Sequence, residues 1–323
     1  MYVGVQGIGT AKIELEFLRR HGVTHMDTSL DAGDLALLVR QREIAAAAGV
    51  NLEMIHIPIA ESITLALDPQ RDRDIDTICK WIENAGTAGL RGLNYNFSVV
   101  GYQRTQTRYG RGGSGYSSFE FSKYNNEEPH KGGRVDRDEI FARASYFLER
   151  VIPVAEEHNV QLASHLPDPP AQVLRGEDRW NFPVFEGLKR FSELVDSPCH
   201  GFNFCCGVAA EGLEKPGEEL PPIVEYFSSR KKIFNVHFRN IRGGLNDFVE
   251  VWPDEGDVNM FALAKIFHRT GYPYMLMPDH APHHPDDPHP PGLSVRVRQG
   301  WAFQFGYIIA MIQALQDGGD YSA

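Results

Sequence analysis

Eight times along this chain a short apolar run gives way to a longer amphipathic stretch, and that alternation limits what the chain can fold into. The runs read as strands at 2–6, 23–28, 52–57, 92–97, 161–165, 201–205, 234–239 and 274–279. Helical spacing follows at 11–20, 34–48, 71–87, 138–158, 183–194, 218–229, 259–269 and 300–316. Gly22, Gly49, Gly89 and Gly271 stand where helices should stop, as left-handed caps. Strands joined by helical crossovers pair in parallel, because a tight turn cannot return the chain to the same end of a sheet. Eight such units predict an α/β chain closed into a (β/α)8 TIM-type barrel, a single domain over residues 1–323. The competing doubly wound sheet would carry a glycine-rich phosphate loop after its first strand. Gly7-Ile8-Gly9 is too short for one and lacks the third glycine.

One interval breaks the rhythm. Residues 106–137, after the fourth strand, are rich in Gly, Ser, Tyr and charge, with Gly110-Arg111-Gly112-Gly113-Ser114-Gly115 at the centre. Loops this long are uncommon in compact domains and tend to be lids or binding loops. The segment is read as an inserted loop on the mouth side of the barrel, serving as a lid or an oligomer contact, against the plainer reading of a surface insertion. A second irregular stretch, 281–292, holds three histidines and five prolines.

A formal charge of -11 argues against nonspecific binding to nucleic acid or to an anionic membrane. No apolar run reaches the ~20 residues of a membrane span. Met1-Tyr2-Val3-Gly4 lacks the basic head and apolar stretch of a signal peptide. Cys79, Cys199, Cys205 and Cys206 are too few for a disulfide framework in a chain this long, so the expected setting is the cytoplasm.

Four side chains suited to a divalent metal close the last four strand runs: His165, Cys205, His237 and Asp279. In a parallel barrel all C-terminal strand ends open onto one mouth, so residues far apart in sequence converge there. Each has a plainer reading alone, as a hydrogen-bonded strand-end histidine, a small buried thiol or a turn cap. Four at consecutive strand ends make a metal site the better account. Two imidazoles, a thiolate and a carboxylate suit a first-row transition ion, not Mg²⁺ or Ca²⁺. Donor type favours Zn²⁺, whereas open positions for a substrate favour an octahedral ion, and the donor set leaves that choice open. His280, beside Asp279, is the candidate acid/base. Arg104, Arg239 and Asn240 are candidate substrate ligands, arginine being suited to bidentate carboxylate recognition.

Several segments, in order, resemble the mannonate dehydratase family. They are Asn94-Tyr95-Asn96-Phe97 with Gln103-Arg104-Thr105, His165-Leu166-Pro167-Asp168-Pro169-Pro170, and Gly201-Phe202-Asn203-Phe204-Cys205-Cys206-Gly207. Val236-His237-Phe238-Arg239-Asn240-Ile241-Arg242, Gly256-Asp257-Val258-Asn259-Met260, Pro278-Asp279-His280 and Phe303-Gln304-Phe305-Gly306-Tyr307 follow. The resemblance implies a xylose-isomerase-like barrel, Mn²⁺ held by His165, Cys205, His237 and Asp279, His280 as catalytic acid/base, and a homo-oligomer. Asn96, in the first motif, joins the expected substrate-binding set. The implied reaction removes water from D-mannonate to give 2-keto-3-deoxy-D-gluconate. The chain departs from the family pattern at Ile57-Pro58, at Met277, where an arginine is usual, and at Leu293, where a tyrosine is usual. Two other functions remain open at this stage: a metal-dependent sugar isomerase or epimerase, and a non-catalytic protein that binds a metal or a sugar acid.

Overall fold

Each strand run of the sequence is a strand in the computed structural model, which describes residues 1–287, 296 and 298–316. In chain order the strands are β1 (Tyr2–Gln6), β2 (His25–Ser29), β3 (Asn51–His56), β4 (Gly92–Asn96), β5 (Gln106–Tyr109), β6 (Gly115–Glu120) and β7 (Gln161–His165). Then come β8 (Val173–Leu174), β9 (Glu177–Asp178), β10 (His200–Cys205), β11 (Ile233–His237), β12 (Asn240–Gly244), β13 (Asp247–Val251) and β14 (Met275–Met277). Eight of them close a parallel barrel in the order β1-β14-β11-β10-β7-β4-β3-β2. Helices Lys12–Arg20, Leu35–Ala47, Gln70–Thr87, Arg137–Glu157, Val184–Ser192, Pro216–Ser229, Met260–Arg269 and Gln299–Gln316 follow the barrel strands in turn.

Local chemistry sets the ends of these elements. Asp34, Asp136 and Asn259 cap helix N-termini by accepting from the backbone N–H three residues on. Gly22, Gly49, Gly89 and Gly271 take positive φ just past helix ends, as expected of a left-handed cap. Inside the barrel, Met54, Ala163, Phe234, Met275 and Met277 form a packed layer. Gly4 has to be a glycine, because a Cβ there would lie 2.5 Å from the Met275 sulfur. The larger core lies between the strands and the surrounding helices, where side chains such as Leu18, Leu38, Ile82, Phe147 and Phe267 are fully buried. Each contributes roughly 1.5–3 kcal/mol relative to exposure.

Within the 106–137 insertion, residues 106–120 carry two strands. β5 and β6 form a hairpin turning at Gly110–Ser114, and β6 pairs with β13 in a four-stranded antiparallel sheet of order β12-β13-β6-β5. Phe119 stacks on Phe248 across that pairing, and Trp252 donates to Ser114 Oγ at 3.2 Å. The partner hairpin, β12 with β13, lies in a stretch to which sequence periodicity assigned no element. Part of the 281–292 stretch, and Leu293 after it, lie outside the described residues. Among the described residues no helix is long and apolar enough to cross a membrane.

Candidate metal centre and active-site cavity

Strand register brings the four donors together. Cys205 lies opposite His237 across β10 and β11, and Asn203 opposite His165 across β10 and β7. His237 also faces Met277, two residues before Asp279. His165 Nε2 lies 3.2 Å from His237 Nδ1, which is 3.4 Å from Asp279 Oδ1. Cys205 Sγ is 3.5 Å from Asp279 Oδ2, and one donor atom from each residue lies within 4.8 Å of every other. Bonds of about 2.0–2.3 Å to a first-row ion separate neighbouring donors by roughly 3–3.7 Å, so this spacing fits such an ion. Asn203 supports the same conclusion. Its amide lies 3.1 Å from His237 Nε2, and its buried Oδ1 has no partner. Turned over, the amide accepts from Nε2–H and leaves the Nδ1 lone pair aimed at the other donors.

A buried ionic cluster sits behind this centre. Arg104 pairs with Asp168 at 2.5 Å, with Glu211 at 3.1 Å, and with Glu250. Arg239 reaches Glu211 at 2.7 Å, Glu250 at 3.2 Å and Asp279 Oδ2 at 3.0 Å. Asp168, Glu211 and Glu250 also lie close enough to hold an ion, but two guanidinium groups already neutralise them. Burial, reinforced by Asp168, raises Glu211 to about 8, and its Oε2 has no partner. Burial opposes ionisation of Asp279, but His280, His237 and Arg239 outweigh it and hold the carboxyl well below its usual range. Burial pushes the Cys205 thiol up against the pull of Arg239, so its thiolate depends on a bound cation.

Arg104, Arg239 and Asn240, expected to take substrate, are held against protein partners in the structure. β11 ends at His237, two residues earlier than the sequence run, and the chain turns away into β12. Arg239 therefore faces the acids, and so does Arg104. Asn240 donates to Pro253 O and Val258 O, both at 2.9 Å, and ties down that turn. None of the three lines the cavity at the barrel mouth.

That cavity, about 350 Å³, is bounded by His165, His237 and Asp279 on one side, and His280 and Asn96 also open onto it. His280 Nδ1 lies 2.8 Å from Glu250 Oε2, which turns Nε2 towards Asp279, 3.6 Å away. Burial lowers the His280 pKa, but Asp279 and Glu250 more than offset it, so the net shift is upward. The other side of the mouth holds polar groups that sequence reasoning missed: Gln6, Asp27, His56 and Asn94. Gln6 Nε2 donates to Asp279 Oδ1 at 2.5 Å. A signal was available, because all four sit on the first four strands near their C-terminal ends. Glu250 gave no such signal.

A family model for D-mannonate dehydratase (UxuA) matches residues 7–135 and 130–320. Mannonate dehydratase of Thermotoga maritima is 30% identical over 284 residues, which cover 75% of this chain and 76% of that one. The crystal structure of mannonate dehydratase from Streptococcus suis serotype 2 is similar with a TM-score of 0.86 at 25% identity, over 99% of this chain and 96% of that one. A D-tagatose 3-epimerase-like protein, 14% identical with a TM-score of 0.61 over 98% of this chain and 99% of that one, shares the fold alone.

Proposed function

The chain belongs to the D-mannonate dehydratase family, and from that premise we propose that it is a metal-dependent hydro-lyase converting D-mannonate to 2-keto-3-deoxy-D-gluconate and water. The observation that carries the reading is the set of four donors, His165, Cys205, His237 and Asp279, gathered at adjacent strand ends beside a cavity sized for a small acid. These four hold the ion, which is Mn²⁺ in the reading the family resemblance favours. When bound, a divalent ion supplies Lewis-acid stabilisation of the negative charge that grows as C2 loses its proton.

The rest belongs to the chain. Arg239 holds Asp279 through Nε and keeps it ionised in a buried setting. Glu250 occupies Nδ1 of His280, which leaves Nε2 to exchange a proton with the substrate. In the reaction the C2–H and C3–O bonds break, the C3 oxygen leaves as water, and the enol formed between C2 and C3 ketonises. No oxidant or reductant is needed. The test is incubation of the Mn²⁺-loaded protein with D-mannonate, followed by NMR. A new C3 methylene next to a ketone supports the reading, and an epimer, an aldose–ketose isomer or unchanged substrate overturns it.

A further inference from the structure

The mouth of the barrel has two chemically different halves. β7, β10, β11 and β14 carry the donors, while β2, β3 and β4 carry a row of polar side chains that share hydrogen bonds. His56 lies beside Asn94 in the β3–β4 register, and Ser29 lies beside His56 in the β2–β3 register. His56 Nδ1 is 2.6 Å from Asn94 Oδ1, and Asn94 Nδ2 donates to Asp27 Oδ2. When Asp27 is ionised it accepts from the amide nitrogen, which turns the amide oxygen towards the imidazole, so Nδ1 carries the hydrogen. Burial lowers the His56 pKa, which keeps the ring neutral and leaves Nε2 as a bare acceptor. Asn94 donates to one oxygen of the Asp27 carboxyl, which the Arg296 guanidinium, also lining the cavity, attracts as well. Two acceptors, Asp27 Oδ1 and His56 Nε2, thus remain in residues that line the cavity.

We propose that Asp27, Asn94 and His56 form a hydroxyl-reading subsite that grips the polyol tail of an aldonate and determines which sugar acid is turned over. The proposal rests on the dehydratase reading and deepens it. Acceptors want donors, and hydroxyl groups supply them. A carboxylate or phosphate would meet the same acceptors as repulsion, so the substrate's acid end lies on the metal side and its tail against β2–β4. An apolar tail would leave these groups desolvated and unpaired. A site built to bond a hydroxyl rejects the analogue that lacks it, by as much as ~10⁴–10⁵-fold where the site is closed. This cavity opens to solvent, so about 10²-fold is expected.

The test uses Mn²⁺-loaded protein with D-mannonate and with analogues lacking O4, O5 or O6, measuring kcat, KM and calorimetric binding. In the parent, removal of one tail hydroxyl is expected to lower kcat/KM by about 10²-fold, mainly through KM. Asp27→Ala and His56→Phe should lower kcat/KM for D-mannonate to a similar degree, lose the discrimination against that analogue, and keep their metal. Asp27→Asn, which keeps the shape and the bond from Asn94, should fall between and guards against misfolding of the alanine variant. Parent-like KM and discrimination in these variants would overturn the subsite. Binding of D-mannonate that the variants weaken, without turnover by the parent, would sink the dehydratase reading and leave the subsite standing. A parent that binds neither D-mannonate nor its epimers would overturn both.

Discussion

Asp27→Asn should make the protein more stable at neutral pH and worse at its job. The carboxyl is 1% exposed, and burial raises it from 3.8 to about 7 against the opposing pull of Arg91, Arg296 and the bond from Asn94. A raised acid pKa means that the folded state binds more protons than the unfolded one between those two values. Stability from this group is therefore complete below pH 4 and is lost as pH rises towards 7. Moving a carboxyl this far corresponds to roughly 4 kcal/mol between its two protonation states, of which about 2–3 kcal/mol falls between pH 5 and 8. An amide of the same shape still accepts from Asn94 and titrates nowhere in this range. Thermal unfolding of parent and variant in chelator, from pH 5 to 8.5, tests the argument. The variant's lead should grow by roughly 4–6 °C between pH 5 and pH 8, taking about 2 °C per kcal/mol for a large domain. A constant offset across the range would refute it, since the carboxyl would then titrate normally in the fold.

Three further outcomes follow from the site. Cys205→Ala should abolish most of the metal content measured by atomic emission, and Cys206→Ala should leave it nearly unchanged; the reverse would mean that the donor register is wrong. His280→Asn should keep its metal and lose at least ~10²-fold in turnover, the scale of a missing acid/base group, and loss of metal with activity would make it a support instead. Arg239→Met removes a buried cation that faces Glu211, Glu250 and Asp279, so denaturant unfolding should show a loss of about 3–5 kcal/mol, and unchanged stability would mean that those acids are protonated in the parent.

How much of this could be read from the chain depends on which signal each part leaves. The barrel was legible because every strand is an apolar run and every crossover a helix, and the observed strand ends differ from the expected ones by no more than two residues. Asp279 and its partners were legible because strand ends point at one mouth. The same rule applied to the first four strands would have pointed to Gln6, Asp27, His56 and Asn94, each at a strand end or two residues before it. What failed was the antiparallel sheet. β12 is Asn-Ile-Arg-Gly-Gly, with too little apolar alternation to register, and the alternation in Phe248-Val249-Glu250-Val251 is short. The glycines at 110–115 suggested an open loop, although they make only the turn of the β5–β6 hairpin. Without that sheet Glu250, the partner that Arg104 and Arg239 share with His280, could not be placed, and both arginines looked free to hold a substrate.

The sheet also changes what the insertion is for. β13 places Glu250, 3% exposed, against His280 Nδ1, and the same carboxylate meets Arg104 and Arg239. Tyr102, on the segment leading into β5, lies edge-on to the His280 ring at 5.2 Å. A carboxylate cannot remain ionised when this deeply buried unless cations surround it, and these three do: Arg239, His280 and Arg104 hold Glu250 below its usual range against the effect of burial. Glu250 in turn holds the ring by Nδ1 and turns Nε2 towards Asp279. A loop that had to order anew in each cycle would give up that fixed geometry, whereas a hairpin paired through β6 keeps it at no further entropic cost. Residues 106–120, paired through β6, brace the strand that carries Glu250 beside His280.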